Sequence, residues 1–174
     1  MAVLLSQVST EGWRLGAPRE LGELTIYPIA GGEPLIQLVE RSEIAECTTP
    51  FPPSTFTDGP RRGIVFAVSD GVAAAWGRVE TWAAGAMKDA PGKWASIIRQ
   101  YDSFTGIRAK IDIRRVQIVD IEGRAMTYPE RWTNTIVPIL QVRGIYQQGD
   151  AYGLLVEAAA LLIGPPRTRQ LAFI

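Results

Sequence analysis

The chain has 174 residues, no net charge and no histidine, and 47% of its residues are hydrophobic against 21% charged. These values fit one globular domain with enough chain to bury a core, and they exclude a disordered polymer. With no histidine and a single cysteine, one chain cannot build an intramolecular disulfide or a Cys/His zinc site, and it lacks the commonest general base.

Charge is unevenly spread. Within residues 1–50, Glu11, Glu20, Glu23, Glu33, Glu40, Glu43 and Glu46 outnumber Arg14, Arg19 and Arg41, whereas the second half is basic and prefers Arg to Lys. The start, Met-Ala-Val-Leu-Leu-Ser, lacks the basic segment of a secretory signal. The longest apolar run, over residues 154–163, is interrupted by Glu157 and is too short to span a bilayer.

Residues 1–22, with Gly12, Gly16, Pro18 and Gly22, read as an irregular arm or an edge segment. Residues 23–29 alternate and give a first strand, with Pro28 marking its end or a sheet edge. Gly31 and Gly32 turn the chain into a second strand over 34–40, so the domain opens with a hairpin. Residues 48–62 form a loop, because three prolines around Phe51 exclude helix and central strand. A loop this long is either functional or partner-bound, or it is an Ω-like loop plugged by Phe51 and Phe56.

Residues 63–69 give a third strand, and Asp70-Gly71 a turn. A helix follows over 72–87, with Val72, Trp76, Val79 and Ala83 as a core stripe, Trp82 close by, and Gly85 and Pro91 near its end. Residues 93–101 form a short helix or a helix-to-strand link. Residues 105–115 are the clearest strand: Ile107, Ala109, Ile111 and Ile113 share one face, and Arg108, Lys110, Asp112 and Arg114 the other. Residues 116–121 either continue that strand after a bulge or return after a tight turn. Glu122-Gly123 is a hairpin-type turn, and residues 124–132 connect.

A long hairpin then occupies residues 135–163, around a polar cluster containing Gly149. A one-residue slip moves every side chain to the other face, so the loop length sets the faces. An odd loop, Gln148-Gly149-Asp150, pairs Tyr146 with Tyr152, Val142 with Val156 and Gln141 with Glu157, giving an apolar face that includes both tyrosines. The tail carries Pro165, Pro166, Arg167 and Arg169, then the apolar Leu171, Phe173 and Ile174.

Two features point to chemistry. Arg108, Lys110 and Arg114 project together, and Arg143 on the hairpin can join them across the sheet. Arginine offers a planar fork suited to phosphate and to stacking on bases. The alternative is a solvated face neutralised by Asp112 and Glu157. The second feature is the aromatic set Trp13, Trp94, Tyr101, Tyr128, Trp132, Tyr146 and Tyr152. Bases of a single strand stack on such rings at ~1–3 kcal/mol each. Trp94 and Tyr101, flanked by Lys93 and Arg99, are the better platforms. The candidate nucleic-acid-binding set is therefore Lys93, Trp94, Arg99, Tyr101, Arg108, Lys110, Arg114 and Arg143. No P-loop, nucleophile elbow or carboxylate cluster at metal-ligand spacing occurs, so neither an enzyme nor a cofactor is expected.

The order of features from Pro34 onward resembles the single-stranded-DNA-binding proteins of large DNA viruses, and more loosely those of phages. The residues that carry this are Pro34, Leu35, Ile36 and Gln37; Thr49, Pro50 and Phe51; the strand 64–68; Trp76, Trp82, Lys88 and Trp94; Tyr101; Arg108, Ala109, Lys110 and Ile111; Val119 through Gly123; Gly144, Ile145 and Tyr146; and Tyr152, Gly153 and Leu154. The resemblance implies a non-enzymatic protein that binds single-stranded nucleic acid, DNA favoured, through basic and aromatic residues. It also implies an intracellular or virion location, without a membrane. The chain departs from that pattern in being lysine-poor and without net positive charge. That leaves a structural or assembly component of a virion or multi-subunit complex as the alternative. The expected fold is a β-rich α+β domain, an OB-like small antiparallel barrel or curved sheet with one or two helices. It spans residues 23–163, between an arm (1–22) and a tail (164–174). Arm, proline loop and tail are the expected self-association elements.

Overall fold

A computed structural model of the chain describes residues 1–42, 47–54, 59–90 and 92–166. Among these, eleven strands and one α-helix follow in order: β1 (Val3–Leu4), β2 (Arg19–Leu21), β3 (Leu24–Pro28), β4 (Leu35–Gln37), β5 (Arg61–Val68), α1 (Asp70–Ala86), β6 (Lys93–Trp94), β7 (Ile98–Gln100), β8 (Thr105–Asp112), β9 (Gln117–Asp120), β10 (Asn134–Gln148) and β11 (Ala151–Pro166). A 3-10 turn over Leu5–Gln7 follows β1. The strands form one sheet whose main order is β1-β4-β10-β11-β8-β5. The architecture is the expected β-rich α+β, OB-like fold, as an open curled sheet with one helix. No described helix is long and apolar enough to cross a membrane.

The β10–β11 hairpin is the spine. Along its outer edges short strands lie end to end: β4 and β3 on β10, and β6, β8 and β9 on β11. The expected pairs Val142–Val156 and Gln141–Glu157 are present. The loop, however, has two residues and not three. Gln148 pairs with Ala151, and Tyr146 faces Gly153 where Tyr152 was expected. Of the two loop residues only Gly149 takes positive φ (59°), as the first central residue of a type II′ turn does. Register is restored by a β-bulge at Arg143, between the pairs Val142–Val156 and Gly144–Leu155. The bulge transfers Tyr146 from the apolar face to the opposite one. It depends on Gly144, whose φ is +145° and where a Cβ would collide with the Tyr27 carbonyl oxygen.

The structure corrects other expectations. β3 and β4 are not a hairpin; both pair with β10, and β3 pairs instead with β2 across the turn at Gly22. Gly31 and Gly32, both at positive φ, carry the chain from one station on β10 to the next. Asp70 and Gly71 are the first residues of α1, because Ser69 Oγ accepts the Val72 N–H at 3.3 Å and caps the helix. Residues 93–100 are not helical but supply β6 and β7. β9 continues in the direction of β8 after a short excursion, since both run parallel to β11. β11 extends to Pro166, where Thr135 Oγ1 and Asn134 Nδ2 donate to the Pro165 and Gly164 carbonyls at 2.9 and 2.8 Å. Phe56, Pro91 and the apolar tail lie outside the described residues.

The core sits between the concave side of the sheet and α1. Trp76, Val79 and Ala83 share one buried cluster with Ile64, Phe66, Ile107, Leu140 and Val142. Burial of these large side chains contributes ~1.5–3 kcal/mol each. The curl is tight enough that Thr48 bridges Ala67 of β5 and Thr135 of β10. This is a one-residue contact, and among the described residues no ladder closes the sheet there.

Candidate nucleic-acid interface

Partners in a β-ladder project to the same side, so the register shows what the convex face carries. On β8, Ile107 and Ile111 are fully buried and Ala109 nearly so, whereas Arg108 and Lys110 are exposed. Alternation back along the strand puts Gly106 and Phe104 on the face of Arg108. On β7, Arg99 pairs with Gly106 and so shares this face, as does Tyr101 two residues on. On β5, Val65 and Gly63 lie opposite Arg108 and Lys110. Arg99, Tyr101, Phe104, Arg108 and Lys110 thus form one surface.

An aromatic platform lies on it. Tyr101 stacks on Phe104 with centroids 4.5 Å apart and planes 15° apart, and Phe51 of the proline loop sits 5.9 Å from both rings. Phe51 is 47% exposed, so it is not the plug that a packed Ω-like loop requires. The Tyr101 ring rests on bare backbone: a Cβ at Gly106 would come within 2.8 Å of it and of the Val65 side chain. The proline loop is held over the same face, where the Ser54 N–H donates to the Gly63 carbonyl at 2.9 Å.

Arg143 also reaches this face, but its charge is engaged. Glu157 is only 5% exposed, and one of its oxygens accepts from Arg143 Nη1 at 3.1 Å and from Arg61 Nη2 at 3.3 Å. Glu33 contacts Arg143 Nε at 3.5 Å. Burial works against the charged guanidinium, but the Glu157 hydrogen bond and the two carboxylates outweigh it and raise the Arg143 pKa. Arg114 does not continue the stripe. β8 ends at Asp112, which is 4% exposed where an outward residue was expected, and Ile113 is half-buried. The Asp112 carboxylate accepts the Arg114 N–H at 2.9 Å and its side chain at 3.4 Å, bonds that hold its pKa below the usual aspartate value. Arg114 is exposed beyond the strand as the partner of that turn.

The remaining candidates divide between faces. Lys93 pairs with Ala151, which alternates with Gly153 and Glu157, so Lys93 is on the convex side and exposed. Trp94 pairs with Tyr152 on the core side and packs edge-on to it at 5.8 Å. Trp13 packs edge-on to Trp82 of α1 at 5.3 Å. Tyr128 and Trp132 meet at 5.3 Å in a shallow cleft of about 280 Å³.

Solved structures place this geometry in context. The single-stranded DNA-binding protein of bacteriophage Enc34, as a C-terminal truncation, superposes with a TM-score of 0.55 at 12% identity, covering 89% of this chain and 97% of that one. The same phage protein in complex with ssDNA gives a TM-score of 0.52 at 12% identity, with the same coverage. No protein-family model and no curated protein matches the sequence. At this identity the similarity establishes a shared fold, and it runs to a phage protein.

Several residues of the surface were absent from the sequence-based set. Phe104 is two residues before Gly106 and four before Arg108, so extending the same alternation backward finds it. Phe51 arrives from a distant loop, and no local pattern marks it. Glu80 holds the surface from behind. Buried at 7% on α1, it accepts the Ser96 hydroxyl at 2.6 Å and the Ile97 N–H at 2.8 Å, fixing the segment between β6 and β7. Its signal is a carboxylate four residues after Trp76 on an apolar stripe.

Proposed function

We propose that this chain is a non-enzymatic single-stranded nucleic-acid-binding protein of viral replication type, with DNA the favoured partner. The observation that carries the reading is the Tyr101–Phe104–Phe51 platform beside the exposed cations Arg99, Arg108 and Lys110 on one sheet face. Unpaired bases stack on aromatic rings with little regard to sequence, while cations follow the phosphates. Support also comes from the fold, shared with a phage protein whose structure is known in complex with ssDNA. Fluorescence anisotropy with a labelled oligothymidylate in low salt tests it. The wild type binds, and Tyr101→Ala weakens binding by ~1–3 kcal/mol. Absence of affinity in low salt, where electrostatic attraction is strongest, would overturn the proposal in favour of a structural or assembly component.

A further inference from the structure

The convex face holds a second tyrosine seated in the same manner as the first. The Arg143 bulge turns Tyr146 outward, opposite Gly153. A Cβ at Gly153 would lie 3.2 Å from the Tyr146 ring and hydroxyl and 2.6 Å from the Ala95 carbonyl oxygen. Glycine here, as at Gly106, leaves room for a tyrosine ring to pack against the sheet, and Tyr146 remains half-buried and not enclosed. The two seats flank the 93–100 segment, which crosses from the edge of β11 to the edge of β8. That segment presents Lys93 and Arg99, both exposed, to the same convex side. On the far side of Tyr146, Ile26 and then the exposed Arg19 continue its row through β3 and β2.

We propose that Tyr146 on Gly153 is a second base-stacking station, and that one single strand crosses the sheet from the Tyr101 platform to Tyr146 with its phosphates along Arg99 and Lys93. This rests on the function proposed above and extends it from a patch to a track with two ends. A two-station track has a length signature. An oligonucleotide too short to cross occupies one station, while a longer one gains the second without paying again for association. The hydroxyl is not needed, because stacking uses the ring face.

The experiment measures the full-length protein by anisotropy against two labelled oligothymidylates, one confined to the Tyr101 platform and one long enough to reach Tyr146. Tyr146→Ala is expected to lower affinity for the long oligonucleotide by about 5- to 160-fold and to leave the short one unchanged. Tyr146→Phe is expected to match the wild type on both. Lys93→Gln, an exposed substitution that leaves the packing intact, is expected to flatten the salt dependence for the long oligonucleotide alone. If Tyr146→Ala does not fold, Lys93→Gln decides the matter. Wild-type affinity of both variants for the long oligonucleotide, or equal weakening for the two lengths, overturns the second station while leaving the Tyr101 platform standing. No binding of either length by the wild type overturns the function and the track together.

Discussion

Single side chains at this face do two different jobs, and burial separates them. Arg108 and Lys110 are exposed and carry no carboxylate contact among the described ion pairs, whereas Arg143 is held by Glu157 and Glu33. Removing Arg143 would leave the buried Glu157 with only the more exposed Arg61 as an ionic partner, so Arg143 belongs to the architecture of the sheet. Asp112 is architectural in the same way. Its pKa is lowered chiefly by the Arg114 N–H and then by the Arg114 side chain. A carboxylate with a depressed folded pKa contributes stability above its unfolded value, ordinarily 3.8, and loses that contribution as pH falls through the folded value. Asp112→Asn is therefore expected to reduce stability at neutral pH and to shallow the acid limb below that value, measured by urea unfolding across pH. An unchanged acid limb would remove Asp112 from the list of stabilising groups. Cys47 is fully buried, and burial pushes its thiol pKa to about 12. It is expected to resist alkylation at neutral pH until the protein unfolds, as a timed iodoacetamide reaction with and without denaturant would show.

At the scale of elements, whatever obeys a local period was legible and whatever depends on a distant backbone was not. The 105–112 strand, the α1 stripe and the middle of the hairpin, Leu140 to Val142, follow from alternation and helical spacing alone, whereas the outer half shifts register between Ile139 and Leu140 and again between Asn134 and Ile136. The bulge at Arg143 does not follow from them, because its cause is the approach of β3 to Gly144, more than a hundred residues away in sequence. Sequence logic therefore placed Tyr146 on the wrong face while pairing Val142 and Gln141 correctly. Likewise Gly31-Gly32 looks like a hairpin turn, and only the vacant edge of β10 reveals that both flanking strands pair elsewhere. The site was half legible for the same reason: Arg99, Tyr101, Arg108 and Lys110 share a period, whereas Phe51 reaches them through a loop and Trp94 is turned inward by its pairing with β11. The bulge gives a sharp expectation. Gly144→Ala forces a side chain into positive φ against the Tyr27 backbone, which costs on the order of 1–3 kcal/mol from conformation alone, with the steric conflict added. A fall of that size or more in unfolding free energy is expected, whereas a neutral substitution would mean that β3 is not held against the bulge.

For the whole molecule, zero net charge and a basic face are compatible because charge is unevenly spread along the chain, and the carboxylates that reach this face, Glu33 and Glu157, are engaged by Arg143. On the proposed function, attraction to a polyanion is a property of one surface and not of the protein at large. This makes the salt dependence of binding a direct count of that surface's phosphate contacts, since each contact with a single strand contributes a slope of about −0.7 in log K against log salt. Replacing Arg99, Arg108 or Lys110 singly by Gln is expected to reduce the magnitude of the slope by about 0.7 each. Tyr101→Ala and Phe104→Ala are expected to lower affinity at nearly constant slope, because stacking releases no counterions. Arg143→Gln provides the contrast: its guanidinium is already committed to Glu157 and Glu33, so the slope should hold while thermal stability falls. One titration series over salt, run on these variants, separates charge, stacking and scaffold. If the slope were lost with Arg143 and kept without Arg108 and Lys110, the binding surface would lie on the hairpin, and the β7–β8 face would be a solvated sheet surface.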